Sequence, residues 1–251
     1  MNGFDPNGTS PADRGMNLIL LLPDDVIDST GRVRLRGRRL RHVLDVHRAA
    51  AGDELRVGLL GGDMGTGRVL QLTPDLLEME VFLDRPPPRP LPLTLILALP
   101  RPKVLRRVLR TASSMGVKRI ILLNSRRVEK SYWQSPFLET FAMKEQLLLG
   151  LEQSRDTLLP EILIRPLFKP FVEDELPGLI RDTLPLVAHP NATVECPRDT
   201  DRTVTLAVGP EGGFIPYEVE KFAGCGFTPI RLGERILSTE TAVPALLARL
   251  F

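Results

Sequence analysis

The sequence predicts an α/β protein in two parts: a small β-barrel, then a larger domain whose strands alternate with helices on a mainly parallel sheet. Three observations carry this. Between Leu18 and Leu83 the chain reads as short strands punctuated by glycine-rich turns, the pattern of a small barrel. The run RPPPRPLP at residues 85–92 then places five prolines in seven positions, which removes amide donors and stiffens the chain into a spacer. Beyond Leu93, strand-length apolar runs alternate with helical periodicity. That pattern implies a parallel sheet whose ligands bind past the carboxyl ends of its strands.

Composition sets the outer limits. A chain of 251 residues, 43% hydrophobic and 25% charged, is ordinary for a globular protein and excludes collagen-like, coiled-coil and wholly disordered classes. The longest apolar runs, residues 18–22 and 93–99, fall far short of the roughly 20 residues needed to cross a bilayer. Residues 1–15 are rich in Gly, Pro, Asn and Asp and lack the apolar stretch of a secretory signal, so they read as a disordered tail. Met16 is a natural start for the foldable chain. The two cysteines, Cys196 and Cys225, make neither a disulfide framework nor a ligand set with a nearby histidine. The expectation is a reduced, cytoplasmic protein with no metal and no membrane association.

Taken in order, residues 36–46 form a short amphipathic helix with Leu40, Val43 and Leu44 on one side. Residues 55–59 alternate as a strand, Gly61-Gly62-Asp63 and Gly65-Thr66-Gly67 are turn signals, and 68–72 and 76–83 are strands again. After the proline run, residues 93–99 are a buried strand. Residues 102–115 form a helix with Val104, Leu105, Val108, Leu109, Ala112 and Met115 on one face. Strands follow at 119–123, 161–164, 184–188, 203–208 and 229–232, with helices at 137–154, 216–223 and 239–250. The expected divisions are therefore a tail at 1–15, a barrel at 16–85, a linker at 86–92 and an α/β domain at 93–251.

A net charge of +2 conceals clustering, because 27 of the 33 cationic residues are arginine. Residues 32–48 hold seven arginines against Asp45, and residues 101–127 hold nine cations and no carboxylate. The arginine fork suits phosphate and stacks on bases, and a local positive field draws polyanions whatever the total charge. Arg36, Arg39, Arg41 and Arg48 in the first cluster, and Lys103, Arg106, Arg107 and Arg110 in the second, are candidate contacts to a polyanion. The alternative is a pair of solvated faces in an arginine-rich chain.

Two turns follow predicted strands. Gly209-Pro210-Glu211-Gly212-Gly213-Phe214 carries three glycines, which let backbone approach a ligand closely; a tight strand-to-helix turn is the alternative. Gly233-Glu234-Arg235-Ile236-Leu237-Ser238 carries two apolar residues. Those must bury against the core or against an apolar ligand surface such as an adenine ring.

These segments, with Leu232 and the following Thr239-Glu240-Thr241-Ala242, resemble the signature segments of the RsmE family. Its members are 16S ribosomal RNA (uracil-N3)-methyltransferases of the SPOUT superfamily. Glu152-Gln153-Ser154-Arg155 with Pro160, Leu97-Ala98-Leu99-Pro100, Met115-Gly116-Val117, and His42-Val43-Leu44 with Gly52-Asp53-Glu54-Leu55 are similar to further family segments, in the family's order over about residues 17–251. The resemblance implies a SPOUT-type C-terminal domain with a trefoil knot, a PUA-like β-barrel before it, and homodimerisation through the C-terminal domain. It also implies S-adenosyl-L-methionine held in a bent form by the knot loops, and 16S ribosomal RNA or the small ribosomal subunit as partner.

Roles then fall to residues. Gly209, Pro210, Gly212, Gly213, Leu232, Gly233, Ile236, Leu237 and Thr241 are the candidate cofactor cradle, with His189 beside it; Thr239 is a further member and a candidate cap of the last helix. Methylating uridine N3 requires the base to be turned into a pocket and charge on its carbonyl oxygens to be stabilised. Arg235 is the candidate for that contact, against an ion pair to Glu234 or Glu211. Glu211 either orients the base and takes its proton, or holds loop amides. Arg155 is a candidate RNA contact, against a cap-and-ion-pair role at a helix end. The family's usual arginine after Arg-Ile-Leu is Ser238 here, and Thr111 and Ser114 replace a usual Lys and Glu. A non-catalytic RNA binder on the same scaffold, or methylation of another RNA atom, are the competing readings. The last helix is apolar nearly all round, which calls for burial within the monomer or at a dimer interface.

Overall fold

The computed structural model describes residues 17–28, 30–47 and 49–251, with the side chains of Val46 and His47 left out. The expected tail and the candidate Arg48 lie outside the described residues. The chain divides into two compact units, Met1–Pro88 with Leu151–Leu158, and Arg89–Gly150 with Leu159–Phe251.

The first unit is a five-stranded mixed sheet. Its strands are β1 (Ile19–Leu21), β2 (Arg32–Leu35), β3 (Glu54–Leu59), β4 (Met64–Leu72) and β5 (Leu77–Arg85), in the order β1-β3-β4-β5-β2. β1 runs parallel to β3 and the other pairs are antiparallel. Alternation places Val33, Leu35, Leu55, Val57, Val69, Leu77 and Met79 in the core, where the short helix α1 (Gly37–His42) adds Leu40. One sequence expectation is corrected here: Gly65-Thr66-Gly67 is not a turn but part of β4. A Cβ at Gly65 would lie 1.9 Å from the Phe82 carbonyl oxygen, at an irregularity in the β4–β5 register, so the glycine marks close strand approach. The segment Leu151–Leu158 is tied into this unit by Leu18 N–H donating to the Glu152 carbonyl (2.9 Å) and by Arg38 forking onto the Glu152 carboxylate (2.7 and 3.0 Å).

The second unit is a seven-stranded sheet, parallel throughout: β6 (Leu93–Ala98), β7 (Arg119–Leu123), β8 (Glu161–Arg165), β9 (Leu184–Ala188), β10 (Val194–Glu195), β11 (Val204–Val208) and β12 (Thr228–Arg231). Strands buried on both faces read as continuous apolar runs, and all five residues of β11 are buried. Helix α2 (Pro102–Ser114) joins β6 to β7, with Pro102 in its first turn; it buries Leu105, Val108, Leu109 and Ala112 and exposes its cations. Helix α3 (Thr140–Ser154) begins later than the periodicity predicts, because Pro136–Leu138 forms a separate 3-10 turn. The helical stretch α4 (Phe168–Pro170), the π turn Phe171–Glu175 and α5 (Leu176–Leu179) were not legible in the pattern; prolines at 166, 170 and 177 interrupt it. Helices α6 (Pro216–Gly224) and α7 (Thr239–Leu250) complete the unit. Within it α7 buries Val243, Leu246, Leu247 and Leu250.

Strand order runs β10-β12-β9-β11-β6-β7-β8. The carboxyl ends of β12, β9 and β11 therefore lie side by side, where such sheets bind ligands. Among the described residues no helix is long and apolar enough to cross a membrane, and no group of His, Cys, Asp or Glu is arranged to hold a metal ion.

Candidate active site

A cavity of about 500 Å³ opens at those three strand ends, within the range typical of small-molecule sites. His189 enters it after β9, residues 209–214 after β11, and residues 232, 233 and 235–237 after β12. Arg235, Glu211 and all the candidate cofactor residues line it except Thr241. Thr241 sits two residues along α7 from Thr239, about 200° round the helix. Its hydroxyl instead lies 3.0 Å from that of Ser238.

The first turn folds on itself. A Cβ at Gly209 would stand 2.9 Å from the Phe214 nitrogen, and Gly213 N–H donates to the Pro210 carbonyl at 2.7 Å. Phe214 is buried against the Phe222 ring at 5.1 Å, which anchors the end of the turn. Glu211 Oε1 accepts the backbone N–H of Arg101, the N-cap position of α2, at 2.9 Å. The buried Glu218 carboxylate accepts from Ile215 N–H (2.9 Å) and Arg126 N–H (2.7 Å), tying the start of α6 to the loop after β7. Thr239 does not cap α7. Ser238 takes the N-cap position, while Thr239 is buried and donates to the Gly209 carbonyl at 3.4 Å, joining the two turns.

In the second turn Arg235 is exposed and lines the cavity, and among the described residues it forms no ion pair with Glu234 or Glu211. The apolar pair is not buried against the core: Ile236 is 83% exposed and Leu237 36%. Their apolar surface is therefore open to a ligand. The His189 Nδ1 accepts Asn191 N–H at 3.3 Å.

Sequence reasoning missed Arg101, Arg127 and Tyr132. Arg127 lines the cavity and donates to the Gly212 carbonyl. Tyr132, and then the carboxylates of Glu211 and Glu129, hold the pKa of Arg101 above its ordinary value. The Tyr132 hydroxyl donates to Glu129 at 2.9 Å. Both arginines belong to a charge cluster visible in the sequence. What brings them to the turn is sheet order, since β6 pairs with β11 and β7 is the next strand beyond β6.

Residues 87–251 match the RNA methyltransferase domain family. The chain is also 30% identical to ribosomal RNA small subunit methyltransferase E of Treponema pallidum, over 93% of this chain and 90% of that protein. The chain belongs to the ribosomal RNA small subunit methyltransferase E family. Methyltransferase E 1 of Borreliella burgdorferi is 24% identical over 92% of this chain and 95% of that protein. The fold is that of methyltransferase E from Neisseria gonorrhoeae, whose structure was solved with S-adenosyl methionine bound. It aligns with a TM-score of 0.72 at 24% identity, covering 93% of this chain and 95% of that one.

In this methyltransferase the α2 cations Lys103, Arg106, Arg107 and Arg110 share an exposed face and line a second cavity of about 420 Å³. Arg106 sits 4.9 Å over the Phe137 ring, Arg110 donates to the buried Gln146 at 2.8 Å, and Arg107 approaches Glu240 at 3.5 Å. In the first unit Arg36 and Arg41 are exposed. Arg39 differs from them: both of its terminal nitrogens hold Asp25 and one also reaches the Leu20 carbonyl. Arg155 is half-buried at the end of α3 with φ of 57°.

Proposed function

We propose that this enzyme methylates N3 of a uridine in 16S ribosomal RNA, using S-adenosyl-L-methionine as donor. One observation carries the reading: the turns after β11 and β12 line a single cavity, with the carboxylate-free Arg235 beside it. The residues present fit the donor. Gly209 permits close backbone approach, and the exposed surfaces of Ile236 and Leu237 suit an adenine ring. When bound, S-adenosyl-L-methionine supplies a sulfonium methyl group, and transfer then requires chiefly an in-line nucleophile.

The protein's own residues provide the rest. Gly209, Pro210, Gly212, Gly213, Leu232, Gly233, Ile236 and Leu237 cradle the donor, with His189 and Thr239 at its sides. Arg235 stabilises the negative charge that uracil develops on its carbonyl oxygens as N3 loses its proton. Glu211 holds the turn through Oε1, and Oε2 accepts the N3 proton. Arg36, Arg41, Lys103, Arg106, Arg107, Arg110 and Arg155 grip the RNA backbone.

The finer architecture belongs to the same proposal. Residues 93–251 form a SPOUT-type domain with a trefoil knot; the support is the return of the chain from β11, between β6 and β9, to β12 on the far side of β9. Residues 16–85 form a PUA-like barrel and 86–92 a linker. The enzyme works in the cytoplasm on the small ribosomal subunit or its RNA, as a homodimer through the C-terminal domain, where α7 leaves Ala248 exposed beside its buried face.

Calorimetry of the purified protein with S-adenosyl-L-methionine, followed by nucleoside analysis of 16S RNA from a strain lacking the gene, tests this. The expected result is saturable one-site binding and loss of a single 3-methyluridine. No binding, or a lost methyl on a ribose hydroxyl, would overturn it.

A further inference from the structure

We propose that Arg127 is an RNA-positioning residue: held at the mouth of the donor cavity by the Gly212 carbonyl, it takes a phosphate oxygen of the strand that carries the target uridine. This rests on the methyl-transfer reading above.

The loop after β7 is built to present this side chain. Arg126 N–H donates to Glu218, which is only 3% exposed and also holds Ile215 N–H, so the loop is fastened to the start of α6. On the other side of Arg127, Val128 is buried and its N–H closes a turn onto the Ser125 carbonyl at 3.1 Å. Arg127 stands between two fixed neighbours.

Its side chain lies directly over the glycine turn. A Cβ added at Gly212 would be 2.9 Å from Arg127 Cδ and 3.3 Å from its Cβ. One guanidinium nitrogen, Nη1, donates to the Gly212 carbonyl. A carbonyl orients the fork without neutralising it. Guanidinium carries five N–H donors, so most remain for a ligand. Among the described residues no carboxylate pairs with Arg127, although it is exposed and lines the cavity. The nearby acids are engaged elsewhere, Glu211 with the Arg101 amide and Glu129 with Tyr132.

A full positive charge thus stands on one side of the cavity, on a different loop from Arg235. A planar fork matches phosphate oxygens, and a nucleotide turned out of its stack brings its flanking phosphates to the pocket mouth. The two arginines divide the work. Arg235 serves the base and Arg127 the backbone.

The test compares wild type, Arg127→Gln, Arg127→Lys and Arg181→Gln, the last removing an exposed charge ahead of β9 at the opposite end of the sheet. Donor affinity is measured by calorimetry, and affinity for a 16S RNA transcript is measured across a salt series. Arg127→Gln is expected to leave donor affinity within about 2-fold while weakening RNA binding by about 10-fold and lowering the salt slope by about one. Arg127→Lys recovers the slope and part of the affinity; Arg181→Gln matches wild type. An unchanged RNA slope in Arg127→Gln, or lost donor affinity with RNA binding intact, would overturn the proposal and leave Arg127 a strap on the turn or a contact to the donor's carboxylate. Failure of the wild type to bind donor would instead strike the reading beneath it.

Discussion

Glu211 reaches across 110 residues of sequence to accept the backbone N–H of Arg101 at 2.9 Å, joining the glycine turn after β11 to the first turn of α2. That N–H is one of the donors a helix start leaves without an intrahelical partner. A single carboxylate oxygen therefore caps a helix and fixes the glycine turn.

The two oxygens of Glu211 are separable by substitution. Glu211→Gln keeps an acceptor for Arg101 but no base; donor affinity is expected to hold while turnover falls. Glu211→Ala loses both, and donor binding should weaken about 10-fold, the scale of one unsatisfied amide. Equal turnover in wild type and Glu211→Gln would remove the proton-acceptor role.

Arg235→Ala is expected to bind donor like wild type and to lose about 10²–10³-fold in turnover, the usual effect of deleting one preorganised charge-stabilising group. Single-turnover assays at saturating donor measure this. Undiminished turnover would take Arg235 out of the chemistry.

Gly209 and Gly212 differ in what a side chain would meet. At Gly209 the obstacles are backbone atoms of Gly213 and Phe214, so Gly209→Ala should cost on the order of 1–3 kcal/mol and abolish donor binding. At Gly212 the obstacle is the flexible Arg127 side chain, so Gly212→Ala should leave the melting temperature nearly unchanged. Thermal melts of the two variants check the difference.

Burial pushes the Cys196 thiol from the usual 9.0 up to about 11. The unfolded chain ionises first, so its protonation falls below that of the native state as pH rises through this interval, and stability declines. The Tm of wild type should drop more steeply between pH 9 and 11 than that of Cys196→Ala. Parallel curves would contradict this.

Much of the site was legible because turn chemistry and strand patterning are local. Gly209-Pro210-Glu211-Gly212-Gly213-Phe214 and the loop bearing Arg235 both follow strands. Their convergence needs strand ends separated by β9 alone. Partners set by sheet order were not legible: nothing near Arg127 announces Gly212, and nothing near Arg101 announces Glu211. Arg39 looked like its neighbours Arg36 and Arg41 until Asp25 was seen to hold it. Gly65 looked like a turn because glycine marks close backbone approach and tight turns alike. The helical stretch from Phe168 escaped because its prolines break the periodicity that reveals longer helices.

The central claim is methyl transfer to a uracil nitrogen by a site built from these two turns. The most direct measurement incubates the purified enzyme with S-adenosyl-L-methionine and small subunits from the deletion strain, then digests the 16S RNA to nucleosides. The account predicts 3-methyluridine with wild type and almost none with Arg235→Ala. Methyl groups found only on ribose, or no transfer despite saturated donor binding, would contradict it.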